Sequence, residues 1–77
     1  AGVKASASDL VSSARYYLDS NTEPAKALDL ARNAVSLDDG WIATYVLARA
    51  QAANGLYSDA ADTARKAHAL GLKADYF

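Results

Sequence analysis

Apolar residues recur every three or four positions along four stretches of the chain, a spacing typical of amphipathic helices. The stripes of the first two stretches contain Leu10, Val11, Ala14, Tyr17, Leu18, and then Ala27, Leu28, Ala31, Ala34, Val35 and, as a further candidate, Leu37. The third stretch, from Trp41 to Asn54, is apolar over much of its circumference, which is typical of a helix buried on more than one side. The fourth spans about Tyr57 to Ala69. The pattern predicts four helices.

Polar and small residues separate these stretches and predict where the helices begin and end. Residues of the types that cap helices precede each stretch. The candidate N-caps are Ser6 or Ser8, then Thr22, then Asp38 or Asp39, and finally Ser58. Pro24 is suited to a first helical turn, and Asn54-Gly55 supplies a left-handed residue that ends the third helix. Gly71 is expected to end the fourth.

Composition narrows the fold class to all-α. The chain has 77 residues, of which 19 are alanine, and it contains one proline and four glycines. Alanine has the highest helix propensity and lets helix backbones approach closely. This length corresponds to one small domain with a marginal core.

Charge and the remaining composition exclude several classes of partner and cofactor. The formal net charge is −1, whereas a protein that binds nucleic acid or an anionic membrane would show a basic face. No apolar run approaches the roughly 20 residues of a membrane span. Cysteine is absent, and the single histidine, His68, has no second soft ligand nearby, so neither a metal site nor any other cofactor is expected. The cellular compartment stays open.

The second half of the chain repeats the first at a shift of 33 residues. The pairs that match or are conservative include Ala27/Ala60, Ala31/Ala64, Ala34/Ala67, Leu37/Leu70, Arg32/Arg65, Asn21/Asn54, Asp29/Asp62 and Ala14/Leu47. A helix–turn–helix unit of this period is typical of an α-solenoid. The repeat predicts two stacked antiparallel hairpins.

The second unit resembles the tetratricopeptide repeat family. Its Leu47-Ala48, the turn Gly55-Leu56-Tyr57, and Ala60 with Ala67 are similar to the small residues and turn of that family. The first unit departs from the pattern, because Thr22 and Pro24 stand where glycine and tyrosine are usual. The resemblance implies a right-handed α-solenoid fragment with units at 8–40 and 41–72. Residues 1–7 are then a disordered lead-in, and 73–77 a tail in which Tyr76 and Phe77 are candidates for a cap.

The same resemblance implies a function and a surface. In that family the first helix of each unit lines a concave groove that binds a protein or peptide. The corresponding residues of hot-spot type are Tyr16, Tyr45, Arg49 and, beside them, Ile42. The alternative is structural: the tyrosines pack on neighbouring helices, and Arg49 pairs with Asp19 or Asp9.

Other residues with chemical potential have structural interpretations as well. Trp41 is either a ligand anchor or a side chain packed between the two hairpins. Asp38-Asp39 has the residue types of an acid/base pair, but a cap and a solvated neighbour explain it better. The chain also lacks a glycine-rich phosphate loop. A non-enzymatic role is therefore expected.

Two other functions remain open at this point. The chain is also similar to helical C-terminal extensions of secreted bacterial domains, which implies a structural appendage of a larger protein whose activity lies elsewhere. The second alternative is a self-associating or designed bundle, which as a homodimer would cover the apolar ends that two repeats leave exposed.

Overall fold

The computed structural model describes residues 6–73, and all regular structure among them is helical. The four helices are α1 (Ala7–Asp19), α2 (Pro24–Leu37), α3 (Trp41–Ala53) and α4 (Tyr57–Lys73). This confirms the all-α class and the four predicted helices. The proposed lead-in 1–7 is too long by two residues, because Ser6 caps α1 and Ala7 is its first residue. Residues 1–5 lie outside the described residues.

Ser6 closes the first turn of α1 through a reciprocal capping box. Its hydroxyl accepts from the backbone N–H of Asp9 at 3.1 Å, and a carboxylate oxygen of Asp9 accepts from the backbone N–H of Ser6 at 3.3 Å. Both bonds satisfy donors that the helix itself leaves without partners. The carboxylate also lies at the positive end of the helix dipole. Of the two predicted candidates, Ser6 is therefore the cap.

Replacing this cap tests its contribution directly. We expect Ser6→Ala to destabilise the chain by about 1 kcal/mol, the typical cost of losing a side-chain cap. In a domain of this size that lowers Tm by roughly 4–8 °C. Ser13→Ala is the matched control, because Ser13 is exposed in the middle of α1 and alanine favours helix there. Thermal melts followed by circular dichroism would contradict the capping role if both variants melted alike.

Three other predicted caps are wrong, each for a local reason. The N-cap of α2 is Glu23 rather than Thr22, and its backbone adopts a left-handed conformation at φ 43°. The N-cap of α3 is Gly40, while Asp38 accepts the Gly40 N–H at 3.1 Å in the preceding turn. Ser58 lies inside α4, which already begins at Tyr57. Pro24 does open α2, and Gly55 does adopt the left-handed conformation, at φ 78°.

The fourth helix is longer than its sequence predicted. Gly71 was expected to end α4, but it is buried within the helix, which continues to Lys73. Glycine is tolerated inside a helix at a cost of roughly 1 kcal/mol relative to alanine, so it did not have to stop this one. The predicted tail 73–77 therefore begins too early, because Lys73 still belongs to α4. Its cap candidates Tyr76 and Phe77 lie outside the described residues.

Consecutive helices joined by short turns pack as two antiparallel hairpins, α1 with α2 and α3 with α4. Helix α3 occupies the centre, because it packs against α1, α2 and α4. Among the described residues, α4 packs against α3 alone. Asn54 links the hairpins further: its side-chain amide donates to the backbone carbonyls of Pro24 at 2.8 Å and Ala50 at 2.7 Å.

The core lies between α1, α2 and α3 and is built largely from alanine. Its fully or nearly fully buried members are Val11, Ala14, Ala27, Leu28, Ala31, Ala34, Ala43, Val46 and Ala50. This confirms the apolar stripes of α1 and α2, with one exception: Leu37 is exposed. On α4, Ala60 and Ala67 are buried, but Ala64 is exposed. Helix α2 thus packs against two helices, α1 and α3, whereas α4 packs against α3 alone among the described residues.

Candidate functional site

The four predicted binding residues lie on the outer surfaces of α1 and α3, which run side by side in parallel. Their carboxyl-terminal halves meet where Arg49 contacts Asp19, and their amino-terminal halves meet where Val11 and Ile42 line a common pocket. Tyr16 precedes Asp19 by three residues, and Tyr45 precedes Arg49 by four. Each tyrosine therefore lies one helical turn towards the amino terminus from its charged neighbour, on the same side of the helix. The residues Tyr16, Ile42, Tyr45 and Arg49 are called the α1/α3 face below.

The α1/α3 face exposes large apolar surface to solvent. Tyr16 is 67% exposed, Tyr45 is 49% exposed and Ile42 is 45% exposed. The ring of Tyr16 packs edge-on against that of Tyr17, with centroids 5.4 Å apart. Tyr17 is half-buried against the core, so it supports the exposed ring from below. The tyrosines that were predicted to bind are therefore accessible, and the one that packs inward is Tyr17.

Arg49 has an intramolecular partner, as the structural alternative predicted. One of its terminal nitrogens lies 2.9 Å from a carboxylate oxygen of Asp19, across the α1/α3 boundary. Both side chains keep contact with solvent, so the pair contributes little to stability, at most about 1 kcal/mol. The contact uses one terminal nitrogen of the guanidinium, which has five N–H donors in all, and the side chain is one third exposed.

A second charged cluster borders Tyr17 at the start of α2. The ammonium of Lys26 lies 5.2 Å from the centre of the Tyr17 ring and 4.0 Å from a carboxylate oxygen of Glu23. The Tyr17 hydroxyl and, more weakly, the Glu23 carboxylate raise the pKa of Lys26 above its ordinary value. Lys26 therefore remains cationic throughout the neutral range, and it packs over an aromatic ring in the manner of a cation–π contact.

A pocket of about 240 Å³ opens where α1 and α3 begin. It is called the head pocket below. It is lined by Ala7, Ser8, Val11, Asp38, Gly40, Trp41, Ile42 and Ala43. Ile42 belongs both to this lining and to the α1/α3 face, so the two surfaces are continuous. Trp41 is half-buried in the wall, where α1 and α3 begin.

One carboxylate lines the head pocket, and two others are sequence neighbours of lining residues. Asp38 is part of the lining, and one of its oxygens accepts from the backbone N–H of Gly40. Asp39 follows it, and Asp9 lies on the first turn of α1 beside Ser8. All three are exposed, and none belongs to an ion pair among residues 6–73. Among the described residues of the lining, Asp38 is the one charged side chain.

The described part of the chain offers little for metal binding or membrane insertion. Residues 6–73 contain no group of three histidine, cysteine, aspartate or glutamate side chains placed to hold a metal ion. None of the helices in that range is both long and apolar enough to cross a bilayer.

Thr44 is buried, and its hydroxyl donates a hydrogen bond to the backbone carbonyl of Gly40 at 2.9 Å in the first turn of α3.

Sequence reasoning found the aromatic residues of the face but missed the head pocket. Small residues at Ala7, Ser8 and Gly40 leave space beside the large Trp41 and Ile42. That contrast in size was visible in the sequence, but which small residues meet which large ones depends on the parallel register of α1 and α3.

Comparison with family models, curated proteins and solved structures found no match to this chain.

Proposed function

We propose that this chain is a non-enzymatic protein-interaction module that binds a peptide or protein segment along the α1/α3 face. We further propose that its two hairpins are units of the tetratricopeptide type. The observation that carries the binding proposal is the exposure of Tyr16, Tyr45 and Ile42 on one face of two adjacent parallel helices. Single exposed apolar residues are normal on protein surfaces, but several on one face favour an interaction site.

The residue types support binding rather than packing alone. Tyrosine and arginine are enriched among the side chains that dominate binding energy, because they bury large area while keeping a polar end. Arg49 is already held by Asp19, so less side-chain entropy is lost when a partner contacts it. The ring of Tyr16 is likewise fixed by Tyr17. The face is therefore partly preorganised.

The dimensions of the face indicate a short segment and moderate affinity. Ile42 and Arg49 are seven residues apart on α3, which corresponds to about 10 Å along the helix. An extended chain covers that length with about three residues. Contacts this small fall below the roughly 1,200 Å² of stable complexes, so we expect micromolar rather than nanomolar binding.

The proposal is tested by selecting binders from a random displayed-peptide library and mapping them on the isotopically labelled chain by NMR. We expect the amide shifts of 12–19 and 42–49 to change on titration, because these ranges contain the exposed residues of α1 and α3. Amides on the solvent side of α4 serve as the internal reference. Shifts concentrated on α4, or the absence of any selected binder, would contradict the proposal.

Self-association is the second candidate function, because α4 packs on one side only. Ala64 and Leu72 are exposed on this helix. By the repeat, Ala64 corresponds to Ala31, which is fully buried on α2. Sedimentation equilibrium over a wide concentration range separates the two candidates. A monomer leaves the α1/α3 face available and favours partner binding. A dimer that Ala64→Glu dissociates would instead favour self-association through α4.

A further inference from the structure

We propose that the head pocket receives one large apolar side chain of the bound segment, and that a lysine or arginine lies next to that side chain. This inference rests on the proposed function and specifies the chemistry of its partner. In this proposal the tyrosines of the α1/α3 face supply most of the contact area with the segment. The head pocket distinguishes segments that carry a large apolar side chain beside a basic residue from segments that do not.

The size and lining of the pocket favour a side chain over a small-molecule ligand. Its volume of about 240 Å³ lies below the roughly 300–1,000 Å³ typical of small-molecule sites. Val11, Trp41, Ile42 and Ala43 supply an apolar wall, and Ala43 and Val11 are themselves almost completely buried. An aromatic or aliphatic side chain inserted here would replace water against this wall with apolar contact.

Charge complementarity selects the neighbours of that side chain. Asp38 lines the pocket, Asp39 follows it in the sequence, and Asp9 follows the lining residue Ser8. None of the three forms an ion pair with another residue of 6–73. At the other end of the face, Asp19 and Arg49 compensate each other. The carboxylate of Asp38 in the pocket wall attracts cationic residues and disfavours acidic ones.

The pocket and the tyrosines lie close enough to be contacted by one segment. Ile42 belongs to both surfaces, and Tyr45 lies one helical turn further along α3. A segment whose apolar residue enters the pocket can thus extend past Ile42 onto Tyr45 and Tyr16. This continuity favours a peptide partner over a separate ligand in the pocket.

Trp41 gives the experiment a built-in reporter, because it is the single tryptophan and lines the pocket. Three amidated, acetylated pentapeptides serve as probes: Gly-Lys-Phe-Lys-Gly, Gly-Glu-Phe-Glu-Gly and Gly-Lys-Ala-Lys-Gly. We expect the first to change Trp41 fluorescence with at least tenfold higher affinity than either of the others. Its affinity should fall as salt is raised from 0.1 M to 1 M, because the Debye length shortens from about 10 Å to 3 Å.

Two variants separate charge from volume at the pocket. Asp38→Asn with Asp39→Asn removes both charges and keeps an acceptor for the Gly40 N–H, so the turn is preserved. We expect this variant to reduce the preference for the lysine peptide over the glutamate peptide to less than about threefold. Asp29→Asn with Asp59→Asn changes the net charge equally at exposed positions on α2 and α4 and should keep the preference. Ser8→Leu fills the pocket and should abolish the response to the phenylalanine peptides.

Specific outcomes would overturn the inference. Library-selected peptides could bind in a way that depends on Tyr45 without changing Trp41 fluorescence, and bind the Ser8→Leu variant as tightly as the parent chain. The pocket is then not used, although the proposed function stands. Equal affinity for the lysine and glutamate peptides would refute the cationic partner. A Trp41 signal that varies with chain concentration would identify a second copy as the occupant. A signal that changes when residues 1–5 are deleted would identify the chain's own segment. Unaltered helicity by circular dichroism is the folding control for each variant.

Discussion

Ala31→Leu should lower the free energy of unfolding by about 3 kcal/mol, whereas Ala64→Leu should change it by less than about 0.5 kcal/mol. The two positions are equivalent by the 33-residue repeat and carry the same residue. They differ in burial, because Ala31 is 0% exposed within the core and Ala64 is exposed on α4. The pair therefore compares the same substitution with and without a helix stacked over it.

The expected size of the effect follows from how α2 is packed. Helix α2 lies against both α1 and α3, and the alanines on its inner face set the distance between the backbones. A leucine at position 31 adds three carbon atoms where no space exists, which forces strained rotamers or helix displacement. A chain of 77 residues has roughly 4–11 kcal/mol of stability in all, so this loss is a large part of it.

Thermal and urea unfolding of the two variants and the parent chain measure this difference. A loss of 3 kcal/mol corresponds to a fall in Tm of roughly 12–24 °C for a domain of this size. Equal destabilisation by the two leucines would contradict the one-sided packing of α4 and would mean that Ala64 is covered in solution. A stable Ala31→Leu variant would contradict the close approach of α2 to α1 and α3.

The double variant Tyr45→Ala with Arg49→Ala should weaken binding of a library-selected peptide at least 100-fold. Truncation of a tyrosine or arginine at the centre of an interface typically costs 2 kcal/mol or more, and each 1.4 kcal/mol is a factor of ten. The variant should remain folded, because Tyr45 is 49% exposed and the Arg49–Asp19 pair is solvent-accessible. Isothermal titration calorimetry or fluorescence anisotropy measures the affinity.

The chain contains a closely matched control on another helix. Tyr57 is 72% exposed at the start of α4, and Arg65 forms an ion pair with Asp62 on the same helix. Tyr57→Ala with Arg65→Ala thus removes the same two residue types and one surface ion pair. We expect its affinity to stay within about twofold of the parent. Comparable losses in the two double variants, or unchanged binding in the first, would contradict the assignment of the α1/α3 face.

Much of the candidate site could be inferred from the sequence because helical periodicity is local. The spacing of Tyr45 and Arg49 places them on one side of a helix whatever surrounds it. Their accessibility was not deducible in the same way, since helix α3 is apolar on several sides. The sequence left Arg49 with two candidate partners, and the register of α1 against α3 selected Asp19 over Asp9.

The sequence by itself determined the number and type of the helices and some of their ends. Alanine content and apolar spacing act within a few residues, and so do the Ser6 capping box and the left-handed Gly55. Such local features can be inferred without the tertiary structure. Tertiary packing decided the rest. Gly71 is buried and remains helical inside α4, although glycine commonly ends a helix. Ala31 and Ala64 occupy equivalent repeat positions but differ in burial, because burial depends on which helices stack over them. The head pocket forms because the parallel helices α1 and α3 meet in one register.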